Sequence, residues 1–161
     1  MPARDAPTTL TPSLLDRLID PDAGGTGYQP GYSVTQMTAA VLRDLEDLLN
    51  TRCSITAVPA QYTEVLGSIC VFGMPELHSL NAISDQQRGQ IGDKLEEIIR
   101  RFEPRLEDIR VTVVPQPDPH LERTIRFRIE ARLAIDPAPP VVFDTVVELT
   151  TGHHSVHRDE S

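Results

Sequence analysis

The sequence predicts an α+β fold: N-terminal helices packed on one face of a C-terminal three-stranded antiparallel β-meander. Three observations carry this. Apolar residues recur at helical spacing as far as Phe102, and at every second position from Ile109 onward. Pro104 stands at the changeover, where its fixed φ and missing amide end a helix and turn Glu103 away from the α region. The segment 121–133 places Leu121, Ile125, Phe127, Ile129, Ala131 and Leu133 on one parity, joined there by Arg123, and Glu122, Thr124, Arg126, Arg128, Glu130 and Arg132 on the other. That alternation belongs to an antiparallel sheet wetted on one side.

At 161 residues the chain has the size of one domain. A net charge of −9 argues against a general phosphate-binding field, so no nucleic-acid partner is expected. With no basic-then-apolar leader and no apolar run near the length of a membrane span, neither export nor a direct membrane span is expected. Cys53 and Cys70 are too few for a disulfide framework and too far apart for a CxxC site. They read as reduced thiols of a cytoplasmic protein.

Residues 1–10 read as a flexible tail. Thr11-Pro12 caps a short helix with Leu14, Leu15, Leu18 and Ile19 at helical spacing, opposite Asp16 and Arg17, and Asp20-Pro21 ends it. Too short to stand alone in water, this helix must dock on its own domain or on a partner. The Gly-rich stretch to residue 32 reads as a linker, since it fits neither phosphate-loop spacing.

Ser33 and Gln36 have capping-box spacing and open a helix with Val34, Met37, Val41, Leu45, Leu48 and Leu49 in one stripe. Asn50 reads as a left-handed stop, and Arg52 beyond it as a cation at the negative helix end. Pro59 opens a shorter helix with Tyr62, Val65, Leu66, Ile69 and Cys70 on one face. Ser84 and Gln87 form a second capping box, before a stripe of Ile91, Leu95, Ile98 and Phe102. Glu96–Arg100 and Glu97–Arg101 are i,i+4 pairs on its wet side. After Pro104 come strands over 109–114, 121–133 and 141–149, with Pro-rich loops between them. A free strand edge within 121–150 is expected to invite an added strand. Residues 153–161 read as a flexible tail. Its His153, His154, His157 and Asp159 lack a scaffold, so no metal site is expected.

Glu103 is the carboxylate with the most distinctive setting. A glycosidase would use it as the acid with a second carboxylate nearby, Glu76, Glu107 or Asp108 by type. The chain has no Trp to line a sugar cleft, so a Glu103–Arg105 interface pair fits better, and Glu103→Ala is expected to leave the fold largely intact.

The runs Leu49-Asn50-Thr51-Arg52, Phe72-Gly73-Met74-Pro75-Glu76-Leu77 and Glu103-Pro104-Arg105-Leu106, with Ser13-Leu14-Leu15-Asp16-Arg17-Leu18 before them, resemble the TssE family of the type VI secretion baseplate. That family is similar to the small wedge protein of contractile phage tails. The resemblance spans about residues 13–152 and implies a wedge-like α+β domain over 33–152. It implies a structural, non-enzymatic and cofactor-free subunit in a baseplate at the cytoplasmic face of the inner membrane. The wedge proteins TssF, TssG and TssK would be partners, and the sheath proteins TssB and TssC would join by strand addition. Carried onto this chain, Glu103, Pro104, Arg105 and Leu106 become the docking motif, with Arg52 in the accompanying run. A lysozyme-like, peptidoglycan-cleaving enzyme using Glu103 is the alternative the family's older label suggests.

Overall fold

The computed structural model describes residues 13–19, 33–53, 55, 58–75, 84–115 and 124–158. The expected N-terminal tail, the Thr11-Pro12 cap, the Asp20-Pro21 stop, the Gly-rich linker, Glu76, Leu121–Arg123 and Asp159 lie outside them.

Two long helices carry one layer. Helix α2 (Val34–Asn50), which follows the short α1 (Leu14–Ile19), opens on the expected capping box: Gln36 N–H donates to the Ser33 hydroxyl and the Gln36 side chain accepts from Ser33 N–H. Its buried stripe is Met37, Val41, Leu45, Leu48 and Leu49, while Val34 stays exposed at the first turn. Helix α4 (Asp85–Phe102) repeats the device with Ser84 and Gln87 and buries Ile91, Leu95, Ile98 and Ile99. Both i,i+4 pairs form on its outer side.

Between them the segment 59–71 departs from the expected continuous helix. It breaks into α3 (Thr63–Leu66) and a 3₁₀ turn (Ile69–Val71), because the Ser68 hydroxyl accepts from Cys70 N–H and restarts the chain there. The face expected to pack is exposed at Tyr62, Val65, Ile69 and Cys70. Two short strands, β1 (Arg52–Cys53) and β2 (Met74–Pro75), pair in parallel and tie the end of α2 to the chain beyond this lobe.

The second layer is a sheet of four antiparallel strands, not three: β3 (Leu106–Val113), β4 (Thr124–Leu133), β5 (Pro140–Glu148) and β6 (His154–Arg158), adjacent in chain order. The fourth strand comes from the stretch expected to be a flexible tail. A hairpin at Gly152 (φ 71°) folds it back onto β5, with Val147 opposite His154 and Thr145 opposite Val156. The expected free edge within 121–150 is therefore filled. Strands β4 and β5 are both paired on two sides, and the edges are β3 and β6.

Strand β4 keeps the expected parity, burying Ile125, Phe127, Ile129, Ala131 and Leu133. Strand β3 starts earlier than expected and breaks register between Glu107 and Arg110, with Asp108 at φ 52°. This bulge puts Leu106 and Ile109, three apart, on the buried side. The inner faces of β3 to β6 close on α2 and α4 to form one apolar core. No helix among the described residues is long and apolar enough to cross a membrane.

Candidate docking site

Helix α4 ends at Glu103, whose N–H still bonds the Ile99 carbonyl at 2.8 Å while its backbone leaves the helix (φ −118°, ψ 80°). Pro104 then turns the chain into β3. The turn is short enough for Arg105 to reach back. Glu103 Oε1 accepts from Arg105 N–H at 3.1 Å and from Nε at 2.7 Å, and Oε2 pairs with Nη2. The motif thus forms a closed ring of its own. Glu103 is buried, Pro104 exposed, Arg105 half-buried and Leu106 sunk in the core.

The pair is one end of a longer chain of charge. Arg105 Nη2 also donates to Asp44 Oδ2 on α2 at 2.6 Å. Asp44 Oδ1 accepts from Arg43 Nε and Nη2, and Arg43 Nη2 reaches Asp16 Oδ1 on α1 at 2.7 Å. Asp16 Oδ2 accepts from the Ser13 hydroxyl at 2.7 Å. Five alternating charges, Asp16–Arg43–Asp44–Arg105–Glu103, therefore join α1, α2 and the turn before β3.

Burial alone would push the Asp16 carboxyl up, but the Ser13 hydroxyl and the Arg43 guanidinium outweigh it and hold it below the usual carboxylate range. Arg105 is held more firmly protonated than usual by its hydrogen bond to Glu103, against the opposing effect of burial. Its Nη1 is buried with no hydrogen bond among the described residues.

This ring also bears on the glycosidase alternative. A general acid must present a proton to a leaving group through an open approach. Glu103 commits both oxygens to Arg105, and the carboxylate that joins it through the same guanidinium, Asp44, is bridged as well. Glu107 and Asp108 point outward on the bulge of β3. Among the described residues the arrangement braces elements and offers no reacting pair.

The other motifs meet around the same framework. Phe72 packs edge-on against Phe102, ring centroids 5.3 Å apart, one residue before Glu103. Gly73 sits at φ 103°, and a Cβ there would lie 2.3 Å from the Thr51 carbonyl oxygen. That oxygen accepts from Met74 N–H at 2.8 Å. The Gly is required for close approach, not merely as a helix stop. Arg52 is placed elsewhere: exposed on β1, it lines a groove of about 280 Å³ with Thr51, Met74, Pro75 and the Leu149–His154 hairpin.

Several residues escaped the sequence reading. Asn50 is not a left-handed stop; Thr51 caps α2 in extended conformation. The Asn50 side chain donates to the Glu46 and His154 carbonyls and accepts from His154 N–H at 2.9 Å. His154 is fully buried, and desolvation, with the charge of His153 second, lowers its pKa to about 4. His157 lies on the opposite face of β6, so the two imidazoles cannot converge on one ion. Among the described residues no group of three or more His, Cys, Asp or Glu side chains is set to hold a metal. One signal for these residues was legible: Ser13 and Asp16 have capping spacing.

Fold and site together define a two-layer α+β structural module whose charged residues fasten helices to a sheet. The chain belongs to the family of baseplate wedge protein gp25, whose model matches residues 35–138, from α2 through β4 and the Glu103–Leu106 turn. This is the family to which TssE belongs. Comparisons with curated proteins and with solved structures return no match. Membership makes a structural baseplate role the ground from which function is argued.

Proposed function

We propose that this protein is a structural baseplate subunit of a type VI secretion contractile machine, docking onto the wedge proteins TssF, TssG and TssK and seeding the TssB–TssC sheath by strand addition. It would work in the cytoplasm, on the baseplate at the inner membrane. The family supports the baseplate role. The observation that carries the docking is the orientation of α1. Among its described side chains, Asp16 is buried at 8% exposure, whereas Leu15 and Leu18 are 49% and 74% exposed. A surface helix normally does the reverse. An ion pair to Arg43 holds Asp16 inward, and Leu15 and Leu18 face outward, ready for an apolar groove on a partner. The same charge chain fixes the exposed Pro104 and half-buried Arg105, so one rigid framework presents both. Glu103 and Leu106 contribute from beneath, by holding the turn, and Arg52 would serve a separate contact.

The test is co-purification with TssF and TssG of the wild type beside the Leu15→Ser, Leu18→Ser double variant, with thermal unfolding as a control. Retention of the wild type, and its loss in a variant that unfolds at the same temperature, is expected. A folded wild type that retains neither wedge protein removes the docking reading.

A further inference from the structure

The sheet has two edges, β3 and β6, and they are not equivalent. On β3 the outward N–H of Val111 is already taken, donating to Glu96 Oε2 from α4 at 3.1 Å. The same strand breaks register between Glu107 and Arg110. Capped amides and bulges are how proteins close an edge to pairing.

On β6, Glu148 N–H donates to the His153 carbonyl at 2.8 Å, which makes that a hydrogen-bonded pair. His154, opposite Val147, therefore turns its N–H and C=O away from β5. The Asn50 amide takes both, at 2.9 Å and 2.8 Å. Asn50 gives His154 one of its two N–H groups and its C=O, as a peptide unit of a neighbouring strand would, while the other N–H goes to the Glu46 carbonyl. Alternation then turns the N–H and C=O of Val156 and Arg158 outward in the same direction. Among the described residues no hydrogen bond reaches them.

We infer that β6 is the edge that receives the incoming strand, along Val156–Arg158, and that Asn50 marks the end of that register. The inference rests on the strand-addition reading above and specifies where the strand lies and what it carries. The helix-facing row Val113–Phe127–Thr145–Val156 calls for an apolar residue beside Val156. The outer row Thr112–Arg128–Asp144–His157 already pairs Arg128 with Asp144 at 3.1 Å. An acidic residue beside His157 can accept a hydrogen bond from its imidazole N–H and so extends this polar row. The occupant is an extended segment with an apolar residue followed or preceded by a carboxylate.

The experiment measures binding of the purified TssB–TssC pair to the full chain. Arg158→Pro removes the outward N–H without touching the β5 ladder, Arg158→Ala keeps it, and Val113→Pro blocks the β3 edge instead. Loss of at least about tenfold in affinity is expected for Arg158→Pro alone, as for one interstrand bond and its neighbours. In the wild type, the amides of Val156 and Arg158 should gain exchange protection on adding the sheath pair, while Val113 does not. Unchanged binding by Arg158→Pro, or protection appearing at Val113 rather than on β6, overturns the assignment of the edge. Failure of the wild type to bind the sheath pair at all removes the strand-addition reading, and this inference with it.

Discussion

Glu103 illustrates how a residue's setting changes what a substitution tests. Read from the chain, it is a carboxylate on a rigid turn between two packed elements, and its removal is expected to leave the fold largely intact. In the folded protein it is 4% exposed and neutralises Arg105. Removing it strands a half-buried guanidinium with Asp44 as its remaining partner. Breaking a buried pair from one side costs more than the pair contributes, so Glu103→Ala should lose about 2 kcal/mol of stability in urea unfolding. The Glu103→Ala, Arg105→Ala double variant should lose less than the sum of the two single losses, because the second change removes the stranded charge. A Glu103→Ala protein as stable as the wild type would show the ring to be ornamental. Partner-binding assays on this variant must therefore be read beside its stability, and the exposed Leu15 and Leu18 make cleaner probes.

At the scale of elements, the legible parts were those whose signal is local. The capping boxes at Ser33 and Ser84, the stripes of α2 and α4, and the parity of β4 all follow from spacing within one segment. The strand β6 was not read because His154-Ser155-Val156-His157 is polar by composition. Its burial depends on a clamp from a residue far away in sequence, Asn50. The bulge of β3 and the outward Leu15 and Leu18 of α1 were hidden for the same reason. Each is settled by a contact across the chain: Ala134 N–H to the Arg105 carbonyl at 2.8 Å beside the bulge, and Arg43 to Asp16 for α1. The Glu103 motif was legible as a site but not as a ring, since spacing shows that Arg105 can reach Glu103 without showing that Asp44 joins them. If Asn50 is the clamp, Asn50→Ala should lose about 1–2 kcal/mol, since it leaves buried His154 main-chain groups without partners. The loss should be concentrated at β6. The amide of His154 should exchange faster by an order of magnitude, while amides in the middle of β4 keep their protection. Uniform acceleration across the sheet would instead mean that β6 and the core open together.

For the whole molecule, β6 closes the core beside α2, and its buried imidazole ties overall stability to pH. His154 has its folded pKa lowered to about 4 from an ordinary 6.5 by burial. The unfolded chain takes up a proton as pH falls through 6.5, whereas the folded chain resists until about 4. The stabilising contribution of a neutral His154 is thus fully present above the unfolded value and lost progressively across that interval. Asp16, held below the usual carboxylate range, likewise loses its contribution on acidification, but only at lower pH, so the two effects separate. Between pH 7 and pH 5 the His154 effect alone should remove about 2 kcal/mol of unfolding free energy. Urea unfolding of the wild type and of His154→Leu at both pH values isolates it, because the leucine is of similar size and cannot titrate. The variant should be nearly flat across this range where the wild type falls. Parallel curves for the two proteins would mean that the imidazole is reached by solvent, and that β6 is not packed against α2 in solution as it is in this fold.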